Sequence, residues 1–259
     1  LLTYEGIKGE TLDYYLFVPE NYSNVKLPIL IFIPDRSVVG RENEYSLTQG
    51  YGAGVWVKQD AQEQNPSIVF VPIFTEVVVN DDFEVSKQVD LVVDILNDLA
   101  NSYLVDKNRI YITGQSMGGM TSFHLNLKYP DLFAASLFVG CQWNTEIMLP
   151  LKDKKFFYIV AEGDAKAYKG QKELKHLFDK NNVKYSTAKW SAKLNSEEQN
   201  ANVNKMIAEG KNINFVTFTQ GTTYPEGFSG EIPASEHMTS FDFAYKIVAI
   251  QQWLFRQTK

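Results

Sequence analysis

Residues 27–33 (LPILIFI) form an unbroken apolar run that stops at Pro34, and 67–74 (SIVFVPIF) are another of the kind. Short runs of this composition predict strands buried on both faces. Residues 12–18 alternate around Tyr14, Tyr15 and Phe17 and end at Pro19, as an early strand does. Between residues 83 and 103 the pattern changes. Val85, Val89, Val92, Val93, Leu96 and Leu99 recur at helical spacing, with Asp and Lys on the opposite side. A short β-branched strand follows at 109–113 (RIYIT), then a glycine-rich turn, then a helical pattern over 117–129 stopped by Pro130.

Apolar strands are predicted again at 134–139 and 156–161, an amphipathic helix over 169–181 and a strand over 183–189. A polar helix over 196–210, a short strand at 215–218 and a closing helix over 241–255 complete the chain. Strands and helices alternate throughout, which predicts an α/β fold: a mostly parallel central sheet flanked by helices on both faces. No repeat or linker interrupts it, so 1–259 reads as a single domain, with 191–235 as a cap-like excursion that covers a cleft. Within that excursion, 219–235 carries three glycines and two prolines and reads as a surface loop leading to His237.

Composition narrows the function classes. Of 259 residues, 44% are hydrophobic, enough for a sizeable core, which excludes general disorder. Lys and Arg total 25 against 31 Asp and Glu, so the net charge of −6 has the wrong sign for binding nucleic acid or an anionic membrane surface. No apolar run approaches the roughly 18 residues that span a bilayer. One cysteine, Cys141, excludes an internal disulfide and a multi-thiolate zinc site, and three histidines make a polyhistidine metal site a poor reading. No metal and no cofactor is expected. The chain opens Leu-Leu-Thr-Tyr, without Met or a signal peptide, and reads as a processed product, secreted or cell-surface rather than cytoplasmic.

The chemistry centres on Gly114-Gln115-Ser116-Met117-Gly118, a G-x-S-x-G between a predicted strand and a predicted helix. A serine on so sharp a turn projects into a cleft, and the helix start below it favours negative charge. The Met117 N–H is therefore a candidate oxyanion donor. Serine needs an imidazole to take its proton, and the imidazole needs a carboxylate to fix its tautomer. Asp164, just past the 156–161 strand, is the candidate acid, with Glu162 competing. His237, in a loop ahead of the last helix, is the candidate base. His124 and His176 fall within helices and read as structural or surface residues.

The second oxyanion donor is expected after the 27–33 strand, where the Arg36 N–H is best placed. Asp35 beside it would oppose a developing negative charge if it pointed inward. Three arrangements accommodate it: Asp35 faces away, pairs with Arg36, or serves an unusual substrate. Trp56, Phe74, Trp143 and Tyr224 are candidate substrate-binding residues, each near a predicted loop at a strand end. Cys141 reads as a buried, inert thiol.

From about residue 12 onward the chain resembles the esterase branch of the α/β-hydrolase family. It is similar to prolyl-oligopeptidase-like, feruloyl-esterase-like and polyhydroxybutyrate-depolymerase-like hydrolases. The resemblance rests on residues 105–119 (VDKNRIYITGQSMGG), the Glu162-Gly163-Asp164 turn, and His237 ahead of 241–255. It implies hydrolysis of carboxylic esters through an acyl-serine intermediate, with no cofactor, by Ser116, Asp164 and His237. The departure is Pro34-Asp35, where relatives carry His-Gly. The expected function is thus that of a serine esterase acting on a small-molecule ester. A peptidase or an acyltransferase on the same triad is the alternative, or a non-catalytic binding protein of this fold.

Overall fold

The computed structural model describes residues 1–7, 9–20, 22, 24–224 and 236–259. Its strands are β1 Leu2–Glu5, β2 Thr11–Phe17, β3 Leu27–Ile33, β4 Ile68–Ile73, β5 Val105–Gln115, β6 Ala135–Val139, β7 Phe156–Ala161, β8 Ser186–Trp190 and β9 Ile213–Phe218. They form a sheet in the order β1-β2-β4-β3-β5-β6-β7-β9-β8. The first two strands are antiparallel to their neighbours, and every pairing from β4 onward is parallel.

The apolar runs are uniform because the sheet is covered twice. Along β3, Ile29, Ile31 and Ile33 join one core cluster while Leu30 and Phe32 join the other, the two-residue period of a strand. Two short helices, α1 (Tyr45–Thr48) and α2 (Gln59–Gln64), precede the longer ones. The first cluster takes in Val89 to Leu99 of α3 (Gln88–Ser102), Met120 and Phe123 of α4 (Met117–Lys128), and Leu174 and Phe178 of α5 (Ala165–Lys180). The second takes in Val203 and Met206 of α6 (Ser196–Ala208), Tyr245 of α7 (His237–Tyr245), and Trp253 of α8 (Val248–Phe255). The α/β architecture with helices on both faces is the one expected.

Three details differ from expectation. β1, too short and exposed to carry a pattern, adds an edge strand. The closing helix is two helices, because Ile247 turns extended (φ −79°, ψ 95°) and buries its side chain in the second cluster. The Gln251 amide donates to the Tyr245 carbonyl at 2.6 Å and satisfies one acceptor freed by that break. His237 opens α7 instead of lying in a loop.

The largest correction concerns 191–235. β9 lies inside the sheet between β7 and β8, fully buried, and α6 packs over the sheet beside α8. The N-terminus of α6 is fixed by a capping box between Asn195 and Glu198. This stretch therefore belongs to the body of the fold and is no single excursion over a cleft. Its last part, 225–235, lies outside the described residues.

Candidate active site

β5 ends at Gln115 and α4 begins at Met117, so Ser116 alone makes the turn, at φ 52° and ψ −119°. Such a backbone costs a non-glycine residue about 1–3 kcal/mol and persists only where its surroundings impose it. Here they do. The Ser116 N–H donates to the Val139 carbonyl at 3.0 Å. A Cβ at Gly114 would stand 2.3 Å from the Gly118 carbonyl, and one at Gly118 would stand 1.9 Å from the Ile33 oxygen. Both glycines are demanded by backbone pressed against backbone.

Three chain segments meet over this turn. His237 Nε2 lies 2.8 Å from Ser116 Oγ, and His237 Nδ1 lies 2.5 Å from Asp164 Oδ2. A carboxylate only accepts, so Nδ1 donates to it and Nε2 is left to accept the hydroxyl proton. Asp164 is 2% exposed and also caps α5, its Oδ1 accepting from the Ala167 N–H at 3.2 Å. The cap fixes the carboxylate in place and sets it against the positive end of α5. Phe241, one turn along α7, meets the imidazole edge to face at 5.1 Å. The competing carboxylate, Glu162, turns the other way. The Lys189 ammonium, then the Gln220 N–H, hold its carboxyl below the usual range.

Asp35 is 1% exposed, and both its oxygens are engaged. Oδ1 accepts from the Ser37 N–H at 2.8 Å, capping the turn Arg36–Val38, and Oδ2 accepts from Gln115 Nε2 at 2.7 Å. Among the described residues it makes no ion pair with Arg36. Met117, the first residue of α4, and Arg36, the first of the turn after β3, belong to segments that touch where Gly118 meets Ile33 and Pro34.

The four aromatic candidates separate. Trp56 is a core residue, its ring edge-on to Tyr245 at 6.2 Å and to Phe255 at 6.1 Å, and Phe74 lies in the opposite core cluster. Their positions beside predicted loops mislead, because both side chains are buried in the core. Tyr224 is buried, and desolvation, then the Glu236 carboxylate, push its phenol up. Trp143 lines a groove, of about 830 Å³, between residues 80–84, the turn after β6, and α5. Phe83 packs edge-on against Trp143 at 5.3 Å, and Lys166 bridges to Asp81 at 2.5 Å at the groove's edge. The groove's lining does not include Ser116 or His237. It approaches them through Lys166, two residues past Asp164.

Cys141 is fully buried, with its thiol pushed up by desolvation, as expected of an inert cysteine. Among the described residues, no three His, Cys, Asp or Glu side chains are grouped to hold a metal, and no helix is long and apolar enough to cross a membrane. The residue missed by sequence reasoning is Glu236. It precedes His237, is 2% exposed, and reaches across to Gly221 and Thr223. A glutamate before a histidine carries no signal by itself, since its partners are 13 and 15 residues away.

Residues 86–219 match the model of the prolyl oligopeptidase family. No curated protein matches the chain. Among solved structures, a thermostable esterase superposes with a TM-score of 0.77 at 22% identity, over 100% of this chain and 62% of the esterase. The chain thus spans under two thirds of that relative. The feruloyl esterase module from Clostridium thermocellum gives 0.62 at 14% identity, over 97% of this chain and 86% of the module. S-formylglutathione hydrolase from Staphylococcus aureus gives 0.59 at 14%, over 98% and 95%. At these identities the likeness is one of fold, the α/β-hydrolase fold.

Proposed function

The chain belongs to the prolyl oligopeptidase family, and we propose that it is a serine hydrolase that cleaves carboxylic esters through an acyl-serine intermediate. One observation carries the reading: the line of hydrogen bonds from Ser116 Oγ through the His237 ring to Asp164. In this reading Ser116 Oγ attacks the ester carbonyl carbon as its proton passes to His237 Nε2. Asp164 supports the imidazolium so formed. The carbonyl oxygen, now negative, is received by the Met117 and Arg36 N–H groups, with the positive end of α4 behind the first. His237 returns the proton to the departing alkoxide, and the alcohol leaves. Water then repeats the sequence, with His237 as base, to release the acid and regenerate Ser116.

Asp35 supports this reading, because its oxygens are occupied by Ser37 and Gln115 and its cap orients the turn that bears Arg36. The groove beside Trp143 is the proposed place for the remote part of a larger ester, whose binding energy would then serve the reacting centre. A peptidase on the same residues is the second reading, favoured by the family match. The test sets p-nitrophenyl esters of increasing acyl length and a ferulate ester against a prolyl-p-nitroanilide peptide, with wild type and Ser116→Ala. Ester cleavage that disappears in Ser116→Ala supports the proposal. Anilide cleavage alone replaces the esterase by the peptidase, and a wild type inert to both and to a fluorophosphonate sinks the enzyme reading.

A further inference from the structure

Glu236 is a carboxylate enclosed by the protein, and among the described residues it has no cation beside it. Burial of that kind is costly unless hydrogen bonds replace the lost water. Its Oε1 accepts from the Gly221 N–H at 2.5 Å, and its Oε2 accepts from the Thr223 hydroxyl at 2.7 Å, with Thr223 itself fully buried. Two donors aimed at one acceptor-only group suit a carboxylate. The same residue donates its own N–H to the Gly163 carbonyl at 3.4 Å. Its side chain fills the space over Gly163, where a Cβ would come within 2.2 Å of Oε1. Glu236 therefore touches the residue before Asp164 and precedes His237 in the chain.

We propose that Glu236 is a positioning residue for the triad: its buried carboxylate ties the 221–223 turn and the Gly163-Asp164 turn to the start of α7, holding the His237 ring between Asp164 and Ser116. The inference rests on the triad reading above. It explains why position 163 is glycine, and why α7 can present His237 from its first residue, where no earlier helical turn restrains the side chain.

The test compares wild type, Glu236→Ala, Glu236→Gln, Gly163→Ala and the Glu236→Ala/Gly163→Ala pair. Three quantities are read: p-nitrophenyl acetate kinetics, thermal unfolding, and the low-field proton resonance of the His237 Nδ1–H. Glu236→Ala is expected to lower kcat about 10- to 100-fold, the usual effect of a small misplacement, with KM within about threefold and the resonance broadened or lost. Glu236→Gln keeps an acceptor for Gly221 and offers a donor to Thr223, so it should hold kcat within about threefold of wild type. Gly163→Ala should mimic Glu236→Ala and add nothing to it, because the added methyl acts only by displacing the carboxylate. If Glu236→Ala does not fold, Glu236→Asp, one methylene short, carries the same expectation.

Unchanged kcat and resonance in Glu236→Ala overturn the proposal. So does an equal loss in Glu236→Gln, which would make charge the agent, and so do multiplying effects of the two substitutions. A wild type that shows the resonance yet hydrolyses no ester removes the esterase reading, and the resonance in the variants then decides this one.

Discussion

The two sides of the proposed triad are built differently. Ser116 stands between β5 and α4 in mid-sheet, held by backbone against backbone, with Gly114 on Gly118 and Gly118 on Ile33. His237 opens a helix of nine residues and is held by side chains: Asp164 on its ring, Glu236 behind it, and Asp242 further along α7, whose Oδ1 accepts from the Tyr51 N–H at 2.9 Å. The nucleophile's geometry is thus a property of the core. The base's geometry is a property of a polar network laid on that core. Changes on the first side should cost fold and function together, and changes on the second should cost function with the fold intact.

The sharpest way to break this contrast is Asp164→Asn. Asn caps a helix as well as Asp, so stability should move by less than about 1 kcal/mol, while the wrong imidazole tautomer lowers kcat on the order of 10⁴-fold. A large fall in melting temperature alongside the activity would show the acid side to be core-built after all. Next in size is Gly118→Ala. Its methyl meets a carbonyl that has nowhere to go, so urea unfolding should report a loss of at least about 3 kcal/mol. Ordinary stability in that variant would mean that the elbow yields, contrary to the contrast drawn.

Ser116→Gly sharpens the picture in the opposite direction. It removes the nucleophile and relieves the positive φ, and after the entropy cost of glycine a gain of about 1 kcal/mol should remain. The smallest effect belongs to pH and to the elbow's own helix. On α4, His124 is half-buried, 6.0 Å from the Trp143 ring. Burial, then Lys128, lowers its pKa below the ordinary 6.5. The unfolded chain binds the proton first as pH falls, so stability drops from about pH 6.5 down to the folded value and then levels off, with a slope of at most about 1.4 kcal/mol per pH unit. His124→Gln should flatten that slope in denaturant titrations from pH 7 to 5, and an unchanged slope assigns it to other groups.

The same contrast decides what was legible in the sequence. The elbow is contiguous, and its strand, its glycines and the start of its helix lie within fifteen residues, so residues 105–119 announce it. Asp164 was legible from its place after a strand, though its cap on α5 was not foreseen. The base side is written in contacts between distant residues: Glu236 with Gly163, Gly221 and Thr223. No local pattern marks them. β9 was recognised as a strand, but nothing in its residues says that it inserts between β7 and β8, and 191–235 was therefore misread as a covering excursion. Trp56 and Phe74 failed for a related reason. Aromatic residues near strand ends are as useful to a core as to a pocket, and only the packing, of Tyr245 and Phe255 on Trp56 and of the opposite core cluster on Phe74, tells which.

The contact between Gly118 and the Ile33 and Pro34 oxygens has a consequence for how the proposed hydrolase could diversify. The turn that carries the nucleophile and the loop that bears Arg36 are seated on each other, so neither can be redrawn without displacing its neighbour. Novelty in substrate range must enter from the periphery, through the segments at 80–84 and 142–147 that line the groove. A lineage descending from this chain would keep its chemical centre nearly invariant while its rim drifted, and a laboratory selection for new esters should accumulate its beneficial substitutions in those same rim segments.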